Sequence, residues 1–152
     1  MRVLGNILWH FPFLGFINAF LAFFIGTACT VLVVTAPIGL GLIQYSKFLL
    51  APFSFDMVKK DDLGIQQNPV WKAYSTIVMI IYLPIGIVLT AITVIQICGL
   101  FLTIVGIPAA LVLAKSIGTY FNPVNKICVP RAVGDAVRIK KDKDEIRKYF
   151  CF

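Results

Sequence analysis

Residues 3–46 read VLGNILWHFPFLGFINAFLAFFIGTACTVLVVTAPIGLGLIQYS, a run without a single Asp, Glu, Lys or Arg. A helix needs roughly 20 apolar residues to cross about 30 Å of hydrocarbon. The run therefore has room for one full crossing and most of a second. A second uncharged run lies between Lys72 and Lys115. Over the whole chain of 152 residues, 59% are hydrophobic and only 14% charged. Soluble domains carry about a quarter charged residues, so a buried soluble core does not account for the deficit. The pattern is that of an integral membrane protein. Arg2 could open a signal peptide, but the apolar run continues well past the usual ~7–15 residues, which predicts a retained first helix.

Self-similarity organises the rest. Pro37 and Pro52 are 15 positions apart, as are Pro108 and Pro123, and the two pairs are offset by 71. At the same offset Gly15 falls on Gly86 and Val58 on Val129. The stretch 30–37, TVLVVTAP, matches 101–108, FLTIVGIP, in character, and each unit then closes on a proline, in APFS and NPVN. The expected fold class is an all-α membrane protein of two tandem helical-hairpin repeats, with about four membrane-embedded segments and shorter, proline-broken second helices. Its divisions are repeat unit 1 at 1–58, a polar linker at 59–74, repeat unit 2 at 75–129 and a basic tail at 130–152. Long helices are expected at about 11–32 and 75–103, short ones at 37–51 and 108–121. Pro37 and Pro108 suit a first helical turn, where the missing N–H has no partner anyway, and Pro52 and Pro123 end the units. At 1.5 Å per residue the short helices reach only ~21–23 Å, so they either cross marginally or are re-entrant.

The tail holds an excess of Lys and Arg, and Arg2 marks the other end. Both are expected to be cytoplasmic under the positive-inside tendency. The simplest topology has both termini and the linker on the inner side. Its competitor has two spanning and two in-plane or re-entrant helices, with the linker outside.

Gly5-Asn6-Ile7-Leu8-Trp9, the β-branched run into Gly106-Ile107-Pro108, and Lys115 and Lys126 beyond it resemble the YccF family of small bacterial inner-membrane proteins. In the first unit Ala36-Pro37 stands where the family has Gly-Ile-Pro, and Lys47 lies three residues later than the pattern has it. The resemblance implies a bacterial inner (plasma) membrane location, and it supplies no reaction.

Lys115 is the sharpest functional candidate, because an ionisable group at membrane depth is costly and faces a cavity, a partner or a pathway; snorkelling along its own stem is the plain alternative. Gln44, Thr103, Gln96 and Asn18 could line a polar path with it, or join helices by hydrogen bonds. Small residues at intervals of four, namely Gly106, Ala110, Ala114 and Gly118, and likewise Ala22 and Gly26, suit close helix packing. Trp9, Phe53, Trp71 and Tyr120 read as an interfacial aromatic belt, with His10 beside them. Cys29, Cys98, Cys128 and Cys151 have no metal or redox spacing. No catalytic constellation, metal-ligand set or phosphate loop stands out, so neither an enzyme nor a cofactor is expected. The expected partners are the lipid bilayer, anionic lipid near the basic tail, and further copies of the chain; nucleic acid is not among them, since the membrane rule accounts for the positive charge.

The expected function is an oligomeric passage for ions or small solutes, by analogy with duplicated, broken-helix transporters. The alternative is a non-conducting structural or accessory subunit. The first needs Lys115 on a water-filled path; the second needs it paired or snorkelled.

Overall fold

The structure is a computed structural model that describes residues 2–104 and 106–150. Helix α1 (Arg2–Phe13) leads into α2 (Gly15–Val31) and α3 (Ala36–Leu50), then strand β1 (Phe55–Lys59). Helices α4 (Pro69–Phe101) and α5 (Ile107–Phe121) follow, then strand β2 (Lys126–Pro130) and helix α6 (Arg131–Phe150). The all-α membrane reading holds, with a small two-stranded sheet added among the described residues.

The four prolines stand where the expected breaks do. Pro37 and Pro108 occupy the first turns of α3 and α5. Pro52 and Pro123 follow the C-caps Ala51 and Asn122, and both are fully buried. Helices α3 and α5 are each 15 residues long, and their first residues, Ala36 and Ile107, are 71 positions apart.

The long helices differ from expectation in opposite ways. The one expected at 11–32 starts only at Gly15, after a 79° bend from the preceding helix. Leu14 makes the bend with φ 49°. Its physical partner is the Trp9 ring, since a Cβ at Gly15 would overlap the indole Nε1. The glycine lets α1 fold back over the end of α3. In the second half there is no such bend: α4 runs 33 residues straight through Pro84, starting within the expected linker. Its start is set by Asn68, whose side chain accepts the Val70 N–H, and by Pro69 in the first turn.

The helix pairs cross closely at glycines. A Cβ at Gly26 would lie 3.0 Å from the Gly39 carbonyl oxygen, and one at Gly39 would lie 2.6 Å from that of Gly26. Gly86 meets Phe121 O in the same way, and Gly41 meets Pro123 O. The core between them holds Trp9, Ala19, Tyr45, Phe48, Leu49, Ala109 and Val112. Outward, α2 and α4 present Phe20, Phe24, Ile80, Ile81 and Ile95, all more than half exposed. In water such a surface would aggregate; against acyl chains it costs nothing. Residues 33–50 and α4 are long and apolar enough to cross a membrane, and the bent α1–α2 pair would make a third crossing.

Candidate functional site

The ends of α3 and α5 lead into β1 and β2, which pair antiparallel with Phe55 opposite Pro130, Met57 opposite Cys128 and Lys59 opposite Lys126. This sheet is the floor of the molecule, and the charged groups gather around it. Asp56 is its buried charged member, with a side chain only 3% exposed. Lys115, halfway along α5, reaches it with Nζ 3.1 Å from Oδ1, and also donates to Pro52 O at 3.3 Å. From the other side Arg138 of α6 stands 3.4 Å from Asp56 Oδ2. A buried carboxylate without cations would be costly; here it holds α5, β1 and α6 together.

Gln44 is the residue of α3 that lies 71 positions before Lys115. It reaches the other strand, where its Oε1 accepts the Cys128 N–H at 3.4 Å. Each short helix thus sends one polar side chain to the closing strand of the other half. Lys126 donates to the Gly118 carbonyl. Burial, with the like charge of Lys59 across the ladder, lowers its pKa to about 8. Burial also raises the Cys128 thiol to about 11, with Lys47 opposing the rise and Asp56 adding to it. Cys29, Cys98 and Cys128 are free thiols, and Cys151 lies outside the described residues.

The remaining candidates do not join Lys115. Thr103 closes the turn before α5, donating to Leu100 O and accepting from Gly106 N–H. Asn18 and Gln96 face a cavity of about 750 Å³, otherwise walled by apolar and aromatic groups such as Trp9, Leu42, Leu100 and Leu113. Gln44 sits at a smaller pocket with Pro37, Lys60, Trp71 and Lys126. Lys115 lines neither. Among the packing residues, Gly26, Gly106 and Ala110 are buried and Ala22 half-buried, while Ala114 and Gly118 are exposed. The buried face of α5 runs instead through Ala109, Ala110, Val112, Ser116 and Thr119.

Several contacts had no signal in the sequence pattern. Trp9, assigned above to the aromatic belt, is 3% exposed, and its indole N–H donates to Leu49 O. It is core because α1 folds back. Asn6 joins it, donating to Ser54 Oγ and accepting from Phe53 N–H. Tyr74, at the start of α4, donates to the carbonyls of Val33 and Val34 at 2.9 and 2.8 Å. The turn before α3 therefore lies beside the end of the linker. Lys141 of α6 pairs with Asp62 of the linker at 2.9 Å. Together with the β1–β2 pairing, this puts linker and tail on the same side of the apolar body.

Residues 4–54 match the family model described as YccF, inner membrane component domain. The match spans α1, α2 and α3, including Gly5-Asn6-Ile7-Leu8-Trp9, whose Gly5, Asn6 and Trp9 make the contacts that fold α1 onto the close of the first half. No curated protein and no solved structure matches the chain.

Proposed function

We propose that this membrane protein, whose first third carries a YccF-type inner membrane component domain, is a multi-pass, non-conducting structural or accessory component of the bacterial inner membrane. The observation that carries the reading is the pairing of Lys115. A passage would use that ammonium to line a wet path, whereas here it is paired with Asp56 and donates to the Pro52 carbonyl. Asn18 and Gln96 line a different cavity, which Lys115 does not reach. The two halves are read as tandem repeats of one unit that meet at their closing strands.

In this arrangement the bent α1–α2 pair, residues 33–50 and α4 are the membrane-crossing segments by length and composition, and the floor of β1, β2 and α6 is the cytoplasmic face under the positive-inside tendency.

The test is ion and small-solute flux from liposomes holding the purified chain, with Lys115→Ala alongside. The expected result is flux no greater than from protein-free liposomes. Flux from the unaltered chain that changes in rate or selectivity with Lys115→Ala overturns the reading in favour of a passage.

A further inference from the structure

Helix α6 has two faces. Gly134, Arg138 and Lys141 form the docked one: a Cβ at Gly134 would lie 2.9 Å from the Asp56 Cβ, and the two cations pair with Asp56 and Asp62. The opposite face holds Ala132, Ala136, Ile139, Lys143 and Ile146, all exposed, with both isoleucines 55% exposed. Their spacing alternates four, three, four, three, which is the a/d seam of a coiled coil, with Ala132, Ile139 and Ile146 at d and Ala136 and Lys143 at a. From Asp142 to Tyr149 every residue is exposed, so this part of the helix stands clear of the body.

The flanks identify the occupant. In this register Asp135 and Asp142 fall at g, and Lys140 and Arg147 at e. In a parallel pair, g of one helix meets e five residues on in its partner. Asp135 would face the partner's Lys140, and Asp142 the partner's Arg147. An antiparallel pair would set Asp against Asp. One flank of the seam is acidic, which disfavours a fit to anionic lipid. We propose that this face of α6 is the interface for a second copy of the chain, joined as a parallel two-stranded coiled coil rising from the floor. Lys143 at a core position sets register and favours two strands at some cost in stability. Two heptads are marginal alone, but copies confined to one membrane in the same orientation meet at high effective concentration.

The test uses the full chain reconstituted in phosphatidylcholine liposomes. With the native cysteines replaced, Ile139→Cys should give a disulfide-linked dimer and Lys148→Cys, on the outer face, should not. In liposomes of the chain with its cysteines intact, energy transfer between copies carrying fluorescent-protein tags should show that Asp142→Arg weakens self-association by about tenfold. Adding Arg147→Asp should restore it. All four positions are exposed, so folding is not at stake. Equal cross-linking at both cysteines, no cross-linking at Ile139→Cys, or a double variant no better than the single one overturns the proposal. Asp142→Arg that leaves self-association unchanged and strengthens binding of the tail to phosphatidylserine vesicles assigns the seam to lipid instead.

Discussion

Met57 and Cys128 stand directly opposite each other in the β1–β2 ladder, and they are also 71 positions apart in the chain. That offset separates the paired prolines and the first residues of α3 and α5 as well. An antiparallel ladder has a local two-fold axis through each directly opposed pair. Here the axis passes between positions that correspond under the offset, so the two closing strands exchange places about it. Gln44 and Lys115 correspond in the same way, and each reaches the opposite strand.

The close approach at Gly41 should tolerate nothing larger. A Cβ there would overlap the Pro123 carbonyl oxygen, a backbone atom held by a fully buried proline. Gly41→Ala should lower the melting temperature in detergent sharply. At Gly99 in α4 an added Cβ would meet nothing within 4 Å, so Gly99→Ala should be neutral or stabilising by about 0.5–1 kcal/mol through helix propensity. Paired thermal melts of the two variants check this.

Trp9 should behave as a core residue. Trp9→Ala should cost about 3–5 kcal/mol, and Trp9→Phe, which keeps most of the volume but loses the bond to Leu49 O, about 1 kcal/mol. Indole fluorescence of a chain carrying Trp71→Phe gives a second check, since Trp9 should be poorly quenched by aqueous iodide.

Lys126 should make stability depend on pH in the alkaline range. Its folded pKa of about 8 lies below the ordinary 10.5, so between these values the unfolded chain binds more protons. Stability then rises with pH across that window, and the cost of burying the charge is fully present below it. Lys126→Met should flatten the rise in melts recorded at pH 7, 8.5 and 10.

Cys128 should resist alkylation. With a thiol pKa of about 11, little thiolate exists at pH 8, so maleimide labelling should be slow until the fold is opened by denaturant.

The membrane class, the positions of the four breaks and the lengths of α3 and α5 were legible because charge and proline act locally. The bend at Leu14 was not, since a glycine beside a leucine gives no sign that Trp9 will fill the space. The strands were hidden too. FDMVK and KICVP are short and edged with lysine, and they pair only because the two halves bring them together. Lys115 stood out as a cation in an apolar helix. Its partner did not, because Asp56 sits in the sequence just before the charged linker, and only the fold carries it under α5.

The most direct measurement on the central claim is a double-mutant cycle at that pair, using Lys115→Met and Asp56→Leu, read by reversible unfolding in detergent. Removing either partner alone should destabilise by about 1–3 kcal/mol, with Arg138 still facing the buried Asp56 carboxylate when Lys115 is gone. The double variant should recover about 1 kcal/mol or more of the summed loss. Additive losses would show that the two side chains do not interact, and would return Lys115 to the wall of a passage.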